Sequence, residues 1–340
     1  MKNVFYFKNI SSVGGVESWL YYLSKKYEFE VQYRAADPEQ IRRLSQNVEC
    51  HKYTKPIKCD KFFCNYGLDI EVEAPIKRHI AHCDYKQVSF SPFIYPGFEY
   101  IGVSQLVCDS FKELTGKDIE LIYNPVYIDI PKVEKYNDGK LHLISCTRLT
   151  NEKGLNRMIK LATMLDKSGI DYEWVIYTNR KRQQVGNKVI YKDHNLNILE
   201  EIAKADYLVQ LSDCEAYCYS AVEALMVGTP VIVTDLPVFK ELGFKHKENA
   251  FICDMGMNNI DLDFIKQKSM KFTYKPPKEH WEKYLSTEKT YNPNELVEVK
   301  ALRKIFLAEE NVHIIRGQTT KVKKCRASYL EAKGLVEICY

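Results

Sequence analysis

Two glutamates, Glu215 and Glu223, stand eight positions apart in the segment EAYCYSAVEALMVGTP, residues 215–230. An ionised carboxylate only accepts hydrogen bonds, and each of its oxygens can take a sugar or ribose hydroxyl. The acids straddle the point where the apolar run ADYLVQLSD gives way to a helical pattern. A strand end, an acid, a short turn and a helix start make an anion site flanked by hydroxyl acceptors. The reason is that the first N–H groups of a helix are unbonded and lie at the positive end of its dipole. A diphosphate fits there. Residue by residue, a plainer reading exists. Ser220 and Glu223 have capping-box spacing, in which each side chain bonds the other's backbone amide, and Glu215 alone is an ordinary solvated loop acid. Upstream, in SCTRLTNEKGLNRMI, Arg148 follows a strand-like run and Lys153 opens a helical one. Two cations at the carboxyl end of a strand can neutralise a leaving diphosphate without a metal. Either one in isolation reads as a surface cation of small energetic consequence.

The elements that position these groups follow from the pattern of apolar residues. MKNVFYF reads as a strand; the glycine pair of SSVGGVESWLYYLSKKY follows it and precedes Trp19, Leu20 and Leu23 at helical spacing. FEVQYRA, DKFFCNYG, RHIAHCD and YIGVSQ read as further strands, Asp37-Pro38 as a helix start, and QLVCDSFKELTG as a helix ended by Gly116. After the polar, proline-containing stretch IPKVEKYNDGK, strands and helices alternate again from LHLISCTRL to PVIVTD. Alternation of this kind predicts βαβ units and parallel sheets. The expected class is therefore α/β: two Rossmann-like doubly wound domains, 1–134 and 135–275, facing a cleft. A crossover helix or linker is expected at 276–290, and a small α+β module at 291–340, where strands dominate and ASYLEAKG reads as one short helix.

Composition narrows the function classes. A chain of 340 residues with 45% hydrophobic and 28% charged residues is that of a globular protein of about two domains. A net charge of +4 is too small and dispersed to argue for a nucleic-acid binder. The start MKNVFYFKNI lacks an apolar signal core, no window reaches a membrane-spanning length, and the 11 cysteines show no CxxC pair. These features predict free thiols, a cytoplasmic location and no metal site. His79 and His82 in RHIAHCD lie three apart on a strand, where side chains point to opposite faces, so they are not expected to share a metal.

Several segments together resemble the retaining glycosyltransferases of the GT-B fold, of the family 4 or group 1 type. They are VGGVES near the start, IYNPV (residues 122–126), RLTNEKGLNRMIKLA, the E-x7-E pattern of Glu215 and Glu223, and ENAFICD. The resemblance covers roughly Met1 to Leu285. It implies a nucleotide-sugar donor, with UDP-glucose as the guess, no metal, and transfer with retained anomeric configuration. It implies that Arg148 and Lys153 bind the diphosphate, aided by backbone amides near Cys218 and Tyr219. Glu223 would take the ribose and Glu215 the transferred sugar, with His82 nearby. Gly14 and Gly15 would allow close approach of the first-domain loop. The acceptor is left open among a glycan, a protein and modified DNA. Ala216 and Cys218 stand where the family often has glycine, and VIYTNRK lacks its usual Gly-x-Gly. The tail loosely resembles a module of tailed-phage proteins, which implies a host cytoplasm as the site of action. A catalytically inactive nucleotide-sugar or partner-binding protein, and a sugar-nucleotide epimerase on the same fold, remain as other readings.

Overall fold

The computed structural model describes residues 1–179 and 183–339. In chain order it begins with β1 (Asn3–Ile10), α1 (Gly15–Lys26), β2 (Glu30–Ala36), α2 (Pro38–Leu44), β3 (Glu49–Lys52), β4 (Ile57–Lys58) and β5 (Lys61–Asn65). Then come β6 (Val72–Glu73), β7 (Ile76–Ala81), β8 (Glu99–Gly102), α3 (Gln105–Thr115) and β9 (Glu120–Leu121). Seven of the strands form one parallel sheet in the order β3-β2-β1-β5-β7-β8-β9, while β4 and β6 pair with each other.

The second half repeats the design. It contains β10 (Leu141–Cys146), α4 (Leu155–Ser168), β11 (Tyr172–Tyr177), β12 (Val189–Lys192), α5 (Leu199–Lys204), β13 (Tyr207–Gln210) and α6 (Tyr219–Met226). It continues with β14 (Val231–Thr234), α7 (Pro237–Glu241), β15 (Ala250–Cys253) and α8 (Leu262–Lys266). The parallel order is β12-β11-β10-β13-β14-β15. Every residue of β13 and β14 is buried, as expected of strands covered on both faces, which is why they read as unbroken apolar runs. Helix α4 buries Leu155, Met158, Leu161, Ala162 and Leu165, one stripe at helical spacing. The fold class is thus the expected GT-B type.

Three local expectations need correction. Residues 276–290 hold a single 3-10 turn at Trp281–Lys283 and no α-helix. Pro276 and Pro277 remove two N–H donors and bias the preceding residue away from helix. The turn carries Trp281 back into the first lobe, its ring 5.6 Å from Trp19 and 6.1 Å from Phe63. Lys153 does not open α4; it closes a 3-10 turn at Asn151–Lys153, and α4 follows Gly154. Ser220 is not a helix cap, because α6 starts one residue earlier from Cys218.

The tail forms β16 (Leu296–Ala301), β17 (Ile305–Leu307), β18 (Val312–Ile314), β19 (Thr319–Lys323), α9 (Lys324–Ala332) and β20 (Val336–Ile338). Strands β19, β16 and β20 make an antiparallel sheet. The module seals the β3 edge of the first lobe. Ser45 donates to the Cys325 carbonyl at 3.0 Å, Glu331 accepts from the Lys52 amide at 3.0 Å, and Lys324 pairs with Glu49 at 2.9 Å. No helix among the described residues is long and apolar enough to cross a membrane.

Candidate active site

In an open α/β sheet, ligands bind beyond the carboxyl ends of the strands where the strand order reverses. That point lies between β1 and β5 in the first lobe and between β10 and β13 in the second. The loops leaving these four strands meet across one cleft of about 1280 Å³, lined from both lobes. All the residues singled out from sequence, Gly14, Gly15, His82, Arg148, Lys153, Glu215, Cys218, Tyr219 and Glu223, line it.

Lys153 and Glu215 form its polar floor. The ammonium lies 2.8 Å from Glu215 Oε1, which also accepts from Ser212 Oγ at 2.7 Å and Gln210 Nε2 at 3.2 Å. Burial works against the Lys153 charge, but the Glu215 carboxylate outweighs it and holds the ammonium pKa above its ordinary value. Gly154 makes the pairing possible. Its φ is +81°, and a Cβ there would lie 1.8 Å from the Leu211 carbonyl oxygen. The turn after β10 therefore presses directly on the end of β13. Arg157 Nε donates to the same carbonyl at 2.8 Å, and the Asp213 amide donates to the Glu152 carbonyl at 2.9 Å. Arg148 stays on the rim, half-exposed, 3.3 Å from Glu152. The two predicted cations share the cleft but do not form one cluster.

Glu223 is buried, and its Oε1 accepts from the Tyr22 hydroxyl of α1 at 2.6 Å. This bond joins the lobes and disposes of the capping-box alternative. Burial raises the Glu223 pKa, while Tyr22 and Arg43 pull it the other way. Among the described residues, Oε2 of Glu215 and Oε2 of Glu223 have no protein donor; both acids keep one oxygen for a ligand. Helix α6 starts from Cys218 in a left-handed conformation, φ +66°, with no side-chain cap. Its first turn enters the cleft uncapped, which leaves backbone donors for an anion. The tyrosines of this turn hold the lobe junction: Tyr217 donates to the Asn124 carbonyl at 3.2 Å and Tyr219 to the Pro125 carbonyl at 3.1 Å.

On the first-lobe side, the Glu17 carboxylate packs close over Gly14. A Cβ on it would strike Glu17 Oε2 at 2.3 Å, whereas one on Gly15 would sit 3.9 Å from the Tyr219 ring, an ordinary contact. Glu17 folds back to accept from the Ser11 amide at 2.7 Å, and burial raises its pKa. His82 has its ring 5.0 Å from Trp19, and its Nε2 is buried with no partner among the described residues. Burial lowers its pKa to about 3, with the neighbouring His79 adding to the effect, so the imidazole is neutral. His79 instead bonds the Tyr66 carbonyl at 3.1 Å. The two histidines thus sit in different surroundings, His79 on the Tyr66 carbonyl and His82 against the Trp19 ring.

Residues 127–263 match the family described as Glycosyl transferases group 1. The enzyme class this supports is glycosyltransferase. No curated protein matches the sequence. Among solved structures, HepE of Anabaena with UDP and glucose superimposes with a TM-score of 0.61 at 16% identity, over 78% of this chain and 89% of that one. A glycosyltransferase of Rickettsia africae gives 0.54 at 12% identity, over 78% and 91%. WaaG, a glycosyltransferase involved in lipopolysaccharide biosynthesis, gives 0.53 at 12% identity, over 78% and 88%. At these identities the likeness is one of fold.

The cleft contains residues that sequence reasoning passed over. Gly154 was visible only as part of a helix start, and Tyr22 only as one of 24 tyrosines. Tyr177, Thr178, His194 and Asn195 also line the cleft. Of the expected VIYTNRK departure, Val175–Tyr177 ends β11 and Thr178 donates to the Lys192 carbonyl at 3.0 Å; Arg180 and Lys181 lie outside the described residues. Among the described residues, Glu30, Glu49 and His51 come close enough to hold a cation, but they lie outside the cleft. Lys2 already pairs with Glu30 at 2.9 Å, and Lys324 with Glu49.

Proposed function

We propose that the protein moves a glycosyl group from a nucleoside diphosphate sugar to an acceptor, with retained anomeric configuration and without a metal. UDP-glucose is the first donor to try. The observation that carries the reading is the pair of acids at the second lobe's switch point, each with one oxygen tied to protein and one left for a hydroxyl. They are set beside a buried ammonium and the uncapped start of α6. In this reading Glu215 takes a hydroxyl of the transferred sugar and Glu223 takes the ribose. Lys153, Arg148 and the backbone amides near Cys218 and Tyr219 take the diphosphate, and Gly14 and Gly15 bring the first-lobe loop against the donor. His82, neutral, lies near the sugar. The anomeric C–O bond breaks with its electron pair going to the diphosphate. The acceptor oxygen attacks from the same face, and its proton passes to the departing phosphate oxygen. The positive groups stabilise the charge that develops there, and closure of the lobes excludes water. The free thiols suit a reducing cytoplasm, where we place the reaction.

The test is a thermal-shift screen with nucleotide sugars and their nucleoside diphosphates. A donor at about 100 times its dissociation constant stabilises the fold by about 2.7 kcal/mol. A shift abolished in Glu223→Ala supports the site; no shift with any donor overturns it. Release of nucleoside diphosphate only when an acceptor is present separates transfer from an epimerase or a binding protein.

A further inference from the structure

The first-lobe wall of the cleft carries an aromatic shelf that the donor reading leaves unused. Tyr66 and Phe90 line the cleft and are 38% and 39% exposed. Their rings lie 6.3 Å apart, and Phe93 backs both, 6.4 Å from Tyr66 and 6.0 Å from Phe90. Large aromatic rings left open to solvent inside a cleft forgo burial that folding would otherwise use.

The backbone at Tyr66 shows that the ring's placement is enforced. Its φ is +52°, the left-handed region, which costs a bulky residue of order 1 kcal/mol or more. The Tyr66 carbonyl is pinned by His79 Nε2 at 3.1 Å and the Tyr95 hydroxyl at 3.4 Å, and Tyr95 also accepts from the Leu68 amide at 2.7 Å. The Tyr66 hydroxyl lies 3.8 Å from Cys83 Sγ, which sets the shelf one residue from His82. Around it, Asn65, Asp84, Gln87 and Ser89 also line the cleft. These groups are neutral or acidic, with oxygen acceptors and amide donors.

We propose that this shelf is the acceptor subsite and that the acceptor is a neutral saccharide. The proposal rests on the donor reading above. A pyranose has an apolar face of axial C–H groups that packs on an aromatic ring, and a rim of hydroxyls that suits carboxylate, amide and hydroxyl partners. A nucleic-acid or lipid-phosphate acceptor would call for cations on this wall. Among the described residues, the first-lobe cations lining the cleft are Lys8 and Arg43, and both are engaged within the protein, Lys8 with Asp69 at 3.4 Å and Arg43 stacked 3.4 Å over the Tyr21 ring.

The experiment is saturation-transfer NMR on the full chain with UDP bound, using methyl glycosides of glucose, galactose, mannose, rhamnose and N-acetylglucosamine. A serine-containing peptide and a short oligothymidylate are the competing probes. The expected result is transfer to the ring C–H protons of at least one glycoside. Affinity should fall about two- to tenfold for each ring removed in Tyr66→Ala and Phe90→Ala, and Tyr66→Phe and Phe90→Tyr should retain it. Melting curves and the donor-induced thermal shift, unchanged in the variants, exclude misfolding. Equal transfer in the wild type and both alanine variants overturns the proposal. So does a response to peptide or oligonucleotide alone, or to no glycoside while the donor shift is intact. Loss of the donor shift in the wild type itself sinks the donor reading first, and this inference with it.

Discussion

Gly154→Ala probes how the Lys153 turn is set. A methyl group there would sit 1.8 Å from the Leu211 carbonyl oxygen, against a floor of 3.0 Å for real Cβ contacts, so the turn and the end of β13 must separate by about 1.2 Å. Neither neighbour is a flexible side chain. The left-handed φ of +81° adds its own cost of about 1–2 kcal/mol, and the clash about 1–3 kcal/mol more. Gly169→Ala is the control. It has φ +72° and nothing within 4 Å of a new Cβ, so it bears the conformational cost alone. A displacement of about 1 Å at a site costs on the order of a hundredfold in rate. Gly154→Ala should therefore lower acceptor-dependent release of nucleoside diphosphate by about two orders of magnitude and melt earlier than Gly169→Ala, which should keep its activity. Matching melts and matching rates in the two variants would show that the Gly154–Leu211 contact does not set the Lys153–Glu215 geometry.

Four other outcomes follow from the site. Tyr22→Phe removes the hydroxyl that bonds the buried Glu223 carboxylate, a loss of about 1.5–3 kcal/mol for a charge-assisted bond. Because the Glu223 pKa is raised, the penalty applies where the acid is ionised; the loss in melting temperature should be larger at pH 8 than at pH 5, and equal losses would contradict it. Lys153→Ala should lower turnover sharply with a smaller effect on the donor-induced thermal shift, and full turnover in this variant would remove its role on the diphosphate. Burial lowers the His79 and His82 pKa values to about 4 and about 3. Their neutral forms therefore contribute stability that is present above the ordinary value near 6.5 and lost as pH falls toward the folded values. The slope is up to about 1.4 kcal/mol per pH unit for each, and His79→Gln should flatten a melting profile taken from pH 7 to pH 4.5. Treatment with a chelator should leave the rate unchanged; its abolition would refute the metal-free reading.

Local pattern was enough for much of the molecule. Runs such as YLVQ and VIVT, buried on both faces, and the stripe from Leu155 to Leu165 announced a parallel sheet with covering helices, because burial imposes its period on the chain. Asp37-Pro38 started a helix as expected, with Asp37 accepting from the Glu39 and Gln40 amides. The acids and cations of the cleft were visible because they fall just past strand ends, where an α/β sheet places ligands. What stayed hidden depends on contacts between segments far apart. Tyr22 meets Glu223 across 201 residues, and nothing in the order of residues marks that tyrosine among the others. Gly154 read as a helix start, since its need for a missing Cβ comes from the Leu211 carbonyl on another strand. Tyr66 carries no sign of a left-handed backbone, because His79 and Tyr95 enforce it from elsewhere in the lobe. The sequence alone determined the layers, the strand ends and the kinds of chemistry available. Only the tertiary structure decided which oxygen of each acid is spent on protein and which is left for a ligand, because that choice depends on where the two lobes meet.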